Sequence, residues 1–167
     1  DREALWEAIA DGTVDTLGSD HVPRHRSFKE KDIWTASAGF PGLENVLPTM
    51  ISAGYHERGI PLERIAEVTS TRAAQLFGMY PKKGVIAVGS DADLAMVDLN
   101  EKWTIHGEQQ LSAAAYSPWE GTELTGRVRH TYVRGQRVFS VGEEFGAPTG
   151  QYLARRKSGA AAMEDQR

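Results

Sequence analysis

The sequence predicts an α/β chain, helical to about residue 78 and mostly β from 84 to 140. Three observations predict it. The segment Thr16-Leu-Gly-Ser-Asp-His-Val-Pro23 reads as a short buried strand that presents Asp20 and His21 just before a turn-forming proline. Apolar residues recur from Leu43 to Ile51 at i, i+3, i+4, i+7 and i+8, the spacing of a helix buried on one face. From Leu94 onward, short alternating runs punctuated by glycine take over. A strand that carries charge at its carboxyl end is how a (β/α)8 barrel builds its chemistry.

In chain order, residues 2–10 form a short helix with Asp11-Gly12 as its exit turn, and its stripe of Leu5, Trp6 and Ile9 needs something to pack against. The chain enters this pattern at Asp1 with no initiator Met, so a chain cut in mid-fold is expected, with a processed or trimmed chain as the alternative. Val14 to Asp20 is the strand. Residues 21–40 are a polar loop, basic at Arg24-His25-Arg26, and a loop of that length is expected to be a lid or binding loop. The helix of Leu43, Val46, Leu47, Met50 and Ile51 follows, with Pro48 placed to kink it. Pro61 starts a second helix that buries Leu62, Ile65 and Val68. Ser70-Thr71 offers a cap for a further short helix closed by Gly78. Leu94 to Asp98, residues 102–106 and residues 127–140 are strands, with Arg134-Gly-Gln136 as a hairpin turn. Residues 157–167 are small and polar and are expected to be disordered.

Composition excludes several classes. The 167 residues suffice for a sizeable core, and 40% apolar with 25% charged residues is ordinary globular material. A net charge of -4 with no basic face argues against nucleic acid. The dense basic patch, Arg155-Arg156-Lys157, reads as a solvated tail. With no cysteine, disulfides and thiolate metal sites are ruled out. No apolar run reaches membrane-spanning length and no signal-peptide pattern is visible, so no membrane partner is expected and the location expected is cytoplasmic.

Four segments, in order, resemble the cyclic amidohydrolases (dihydroorotase, hydantoinase-dihydropyrimidinase and allantoinase): Gly18-Ser-Asp-His-Val-Pro23, Ala38-Gly-Phe-Pro-Gly-Leu-Glu44, Lys83-Gly-Val-Ile-Ala-Val-Gly-Ser-Asp-Ala-Asp93, and Ser117-Pro-Trp-Glu-Gly121 with Gly126-Arg-Val-Arg129. The resemblance covers roughly residues 1–156. It implies the C-terminal part of a metal-dependent (β/α)8 barrel followed by part of a small β-sandwich domain. Residues 1–80 would be barrel (last strand, active-site loop, helices), 81–142 sandwich and 143–167 a C-terminal extension. The implied cofactor is a divalent metal centre, binuclear zinc, with most of its ligands upstream of residue 1. A small cyclic amide is the implied substrate. The remainder of the barrel and, by analogy, further copies of the chain are the implied partners.

By the same resemblance Asp20 is the carboxylate that binds one metal and also the catalytic base. The attacking water needs a group to take its proton, the leaving ring nitrogen needs that proton back, and one carboxylate at a strand tip serves both. Without the resemblance, Asp20 reads more readily as a strand-end acid that caps a turn than as a catalytic group. His21 either orients Asp20 from behind or faces the barrel wall. A local metal site of Asp20, His21 and His25 is disfavoured, because adjacent strand residues point to opposite faces. Dihydroorotases continue the strand motif as Asp-x-x-Pro-His, and that His helps hold the substrate carboxylate. Here the place is taken by Arg24, with His25 next. Arg24 either clamps a carboxylate or is a solvated loop residue. Hydantoinases tend to have Asn before the glycine of the second motif, where this chain has Ala38-Gly39, whose backbone groups can still hydrogen-bond a cyclic amide. Trp34 and Phe40 either wall a pocket or pack. His56, His106 and His130 are expected not to be ligands, the last two lying in β segments at the surface. Trp103, Tyr132, Val133, Val138 and Phe139 are expected in a sandwich core or interface.

The family also uses a His-x-His pair, two further histidines and a bridging carbamylated lysine. No His-x-His occurs in this sequence, and hydrolytic metal centres take three or four protein ligands. The 167 residues alone are therefore expected to be inactive. The function expected is hydrolysis of a ring amide of the hydantoin, dihydropyrimidine, allantoin or dihydroorotate type, with the first three preferred on the strength of Arg24. The alternatives are a non-catalytic relative acting as an assembly protein and a stand-alone β-sandwich binding module.

Overall fold

A computed structural model describes residues 1–154. The tail carrying Arg155-Arg156-Lys157 and residues 157–167 lies outside the described residues. The first helix, α1 (Arg2–Asp11), ends where anticipated, at Gly12, whose φ of 94° is left-handed and closes the helix without a side-chain clash. A second helical stretch starts as a single 3-10 turn (Leu43–Asn45), becomes α2 (Val46–Thr49) and widens to π geometry over Met50–His56. Pro48 sits in its opening turns, where a missing N–H costs little because the first amides of a helix have no partner. The third stretch is α3 (Leu62–Ala66), a π turn (Glu67–Thr71) and α4 (Arg72–Leu76), run together. Strands β1 (Leu94–Thr104), β2 (Glu123–Val133) and β3 (Gln136–Ser140) form one sheet in the order β1-β2-β3. Among the described residues, no helix is long and apolar enough to cross a membrane.

Several sequence expectations are corrected. Residues 13–20 form no strand, because no neighbouring strand among the described residues supplies a ladder. Their backbone bonds are isolated ones, such as Leu17 N–H to Val68 O at 3.3 Å. Ser70-Thr71 caps no new helix; the chain stays helical through it, and the Thr71 hydroxyl donates instead to Gly84 O at 2.7 Å. Leu43 is exposed, because the opening 3-10 turn rotates it away from the face that buries Met50 and Ile51. The two strand runs at 94–98 and 102–106 are one strand, and His106 lies just past its end. His130 is not at the surface: it is half-buried in β2 with its Nδ1 enclosed. Trp103, Tyr132, Val133, Val138 and Phe139 are all half-buried rather than core.

The chain folds as two compact units. Among the described residues, one comprises 1–17, 60–97 and 128–154; the other comprises 18–59 and 98–127. In the first, Ile9, Ile60, Ile65, Val68 and Ala74 are the buried core. Arg64 fastens it: its guanidinium donates to Ile9 O (2.6 Å), to Val14 O and to Glu67 (2.6 Å), so one cation satisfies a carbonyl at the end of α1 and one in the segment beyond it. The Lys83–Asp93 motif folds around an ion cluster in which Lys82 and Lys83 meet Asp91 at 2.7 and 2.9 Å and Lys83 also meets Asp93. Asp93 in turn accepts the Arg134 amide at 2.8 Å. That amide belongs to the β2–β3 hairpin, where Arg134 and Gly135 both have positive φ (47° and 78°), the primed turn that suits a two-residue hairpin. Thr131 pairs with Phe139 and Tyr132 with Arg137, which leaves Val138 as a bulge.

In the second unit, Met50, Ile51, Ile105, Ala114 and Leu124 are buried. Alternation along β1 puts Leu99, Glu101 and Trp103 on its more covered face. Glu101 is there because Arg127 pairs with it at 2.9 Å and lies over the Trp103 ring at 5.2 Å, while the indole N–H donates to Gly126 O. The Ser117–Gly121 motif is folded by Glu120, which accepts the Gly107 amide at 2.7 Å and meets His106 at 3.0 Å. Those two bonds, the amide first, hold its carboxyl below the ordinary range.

Candidate active site

The site is built in the second unit from residues 19–22, the loop behind them and residues 37–43. Asp20 is an exposed residue with φ +45°, a left-handed conformation that Asp and Asn tolerate better than other side chains. Among the described residues its carboxylate has no hydrogen bond or ion pair. The residues on either side are tied down. The His21 amide donates to Ser19 Oγ at 3.3 Å, His21 bridges to Phe40 in parallel fashion, and the Val22 amide donates to Phe40 O at 2.9 Å. The His21 ring accepts at Nδ1 from two amides, Gly42 N–H at 3.0 Å and Leu43 N–H at 3.1 Å. Two donors at one nitrogen require its lone pair, which puts the ring proton on Nε2.

Gly39 explains how residues 37–43 come so close. It has φ +96°, and a Cβ there would fall on Val22 Cβ and lie 2.6 Å from its Cγ1. Only glycine fits against the Asp20 turn at that point. Gly42 is covered by the Trp119 ring, whose nearest atom would be 3.4 Å from an added Cβ. Lys29 closes the loop, donating to Ser37 O at 2.6 Å with its ammonium 4.2 Å from the Phe40 ring centre.

The other candidates are arranged less tightly. Arg24 is exposed, and its guanidinium has no partner among the described residues; only its amide is used, bonding Val22 O at 2.8 Å around Pro23. His25 is exposed and its Nδ1 is engaged with Ser27 Oγ (3.0 Å), at the cap of a 3-10 turn. Ala38 is exposed beside Gly39. Trp34 is 91% exposed, while Phe40 is shared between Lys29 and solvent. His56 is spent on Leu99 O at 2.7 Å. Sequence reasoning missed Lys29 and the amides of Gly42 and Leu43. The two glycines flanking Phe40-Pro41 were the available signal, since paired glycines mark a close backbone approach.

The amidohydrolase family model matches residues 1–138. This chain belongs to the amidohydrolase family. It is 43% identical to an L-hydantoinase of Paenarthrobacter aurescens over 158 residues, 91% of this chain and 34% of the relative. It is 40% identical to an allantoinase of Deinococcus radiodurans over 156 residues, 93% of this chain and 34% of the relative. Its fold matches a D-hydantoinase from a Bacillus species with a TM-score of 0.86 at 39% identity, covering 92% of this chain and 35% of that one. The amidohydrolase chain thus spans about 34% of the length of these curated relatives.

Whether these residues fit the family's metal centre can be tested on the donor set. Asp20 suits one ligand: a carboxylate free of competing cations, on a turn fixed from both sides. No group of three or more His, Asp or Glu side chains placed to hold a metal occurs among the described residues. Asp20 thus has the donor chemistry of a single metal ligand, and the described residues place no further two donors beside it.

Proposed function

We propose that this chain is the C-terminal part of a metal-dependent cyclic amidohydrolase that opens a ring amide. In this reading residues 1–80 complete a (β/α)8 barrel, 81–142 belong to a β-sandwich and 143–167 are an extension. The partners are the remainder of the barrel and further copies of the chain, and the location is cytoplasmic. A divalent centre, binuclear zinc in this reading, would when bound supply a Lewis acid for the ring carbonyl and lower the pKa of the attacking water. Asp20 is its ligand from this chain. The water oxygen bonds to the carbonyl carbon while Asp20 takes the water's proton. The carbon–nitrogen bond then breaks, and Asp20 returns that proton to the ring nitrogen, so one carboxylate acts as base and then as acid. The backbone of Ser37 to Gly39, set by Gly39 against Val22, offers hydrogen bonds to the ring. Where a substrate carries a carboxylate, Arg24 clamps it, with His25 beside it; on an uncharged ring Arg24 stays a solvated loop residue.

The observation that carries the reading is Asp20 itself, an exposed and unpaired carboxylate on a left-handed turn that its neighbours hold at several points. A hydantoin-, dihydropyrimidine- or allantoin-type ring is preferred over dihydroorotate because Arg24 stands where dihydroorotases carry histidine. The test is turnover by the complete protein on all four ring types, with and without Asp20→Asn. The variant should lose turnover while keeping its melting temperature. Near-normal turnover would remove Asp20 from the mechanism. A complete protein that opens none of the four rings would leave the non-catalytic assembly role.

A further inference from the structure

We infer that His21 is the positioning residue that keeps the Asp20 carboxylate in its working orientation, and that it does so as an acceptor at Nδ1 rather than through its Nε2 face. The inference rests on the proposed role of Asp20. A non-glycine residue at positive φ persists only when its surroundings over-determine it. Asp20 cannot be held through its own side chain, which is unpaired among the described residues. Its neighbour His21 is held at three points: the His21 amide on Ser19 Oγ, the bridge to Phe40, and the ring on the Gly42 and Leu43 amides. The first two are backbone features available to any residue. The third belongs to histidine.

The anchor is itself fixed. Gly42 lies under the Trp119 ring, and the helical turn that starts at Leu43 is tied by Glu44 accepting the Ser112 amide (3.0 Å) and by buried Asn45 accepting from Gln110 (2.7 Å). His21 thus couples the Asp20 turn to a rigid helix start. Without an acceptor there, two amides lose their partner and the turn is free to relax toward ordinary backbone geometry, which would swing the carboxylate.

Isosteres separate the two ring nitrogens. Asparagine places an acceptor near the position of Nδ1, glutamine one near Nε2, and phenylalanine fills the space with no acceptor. The complete enzyme carrying His21→Asn, His21→Gln or His21→Phe is measured for kcat, KM, melting temperature and the rate at which a chelator strips its metal. We expect His21→Phe and His21→Gln to lose about tenfold to a hundredfold in kcat, the range for groups that orient a metal ligand. KM should stay within about twofold, because the backbone that meets the substrate is not altered. Metal should leave both variants faster, and His21→Asn should recover most of both losses. Activity in His21→Gln equal to or above that of His21→Asn would overturn the inference, as would a His21→Phe enzyme of unchanged kcat and metal retention. If His21→Phe does not fold, the Asn-to-Gln order decides alone. Should the unmutated enzyme open no ring, the functional reading fails separately, and metal release still reports on the coupling.

Discussion

Replacing Gly39 by alanine tests the geometry of the site most directly. The added methyl meets two penalties that can be separated. The backbone at φ +96° lies in the left-handed half of conformational space, which costs a non-glycine residue about 1–2 kcal/mol. The methyl would also fall on Val22 Cβ and 2.6 Å from Cγ1, and overpacking of this kind costs about 1–3 kcal/mol. Together they predict a loss of about 2–5 kcal/mol, or a displacement of residues 37–43 that relieves it by pulling their backbone contacts away from His21 and Val22. Chemical denaturation of the complete enzyme reads the first outcome and kcat/KM the second, with a fall of at least about tenfold expected in one of them, since about 1.4 kcal/mol is a factor of ten. Val22→Ala should not rescue Gly39→Ala, because the obstructing Cβ remains. A Gly39→Ala enzyme unchanged in both measurements would refute the close approach, and full rescue by Val22→Ala would place the conflict in the Cγ methyls rather than between backbones.

Arg24→Ala should raise KM mainly for ring substrates with a free carboxylate, and an equal effect on uncharged rings would count against a clamp. Arg64→Ala removes three bonds from a largely buried guanidinium, including those to Ile9 O and Glu67, and should cost about 2–4 kcal/mol in unfolding free energy, given about 1.5–3 for a bond to a charged group; a change under about 0.5 kcal/mol would make Arg64 an ordinary surface residue. The Lys83–Asp93 cluster predicts a pH window. Hydrogen bonds from Lys82 and Lys83 lower Asp91; burial opposes ionisation of Asp93, but Lys83 and the Arg134 amide outweigh it and lower it too. Their contribution is complete above about pH 4, the unfolded value, and is lost as pH falls through the lower folded values. Burial also opposes the charge on Lys83, and its bonds to Asp93 and Asp91 outweigh that and raise it, so its contribution is complete below about pH 10.4 and fades as pH rises through the folded value. Asp93→Asn should therefore flatten the acid-side fall in melting temperature, and an unchanged acid limb would show that the Asp93 carboxylate contributes nothing.

Much of the fold is legible where local chemistry acts alone. Gly12 ends α1, Gly78 closes α4 with φ 70°, and Arg134-Gly135 turns the hairpin, because each position requires a backbone sign that the sequence announces. The ordered motifs around Asp20, Gly39, Lys83–Asp93 and Ser117–Gly121 were enough to point to the family and to single out Asp20. Other features depended on partners distant in sequence. Residues 14–20 have the composition of a strand, yet a strand is a pairing and no ladder forms around them among the described residues. Ser70-Thr71 has the chemistry of a cap, but the Thr71 hydroxyl finds Gly84 O and the helix continues. Lys29 reads as one charge in a polar loop until Ser37 O and Phe40 are brought beside it. The sequence by itself determined the turn signals and the ordered motifs that mark the family, because those depend on residue type and spacing alone. Only the tertiary structure decided what His21 does, since the amides of Gly42 and Leu43 lie 21 and 22 residues away along the chain and reach Nδ1 through a backbone approach that glycine permits.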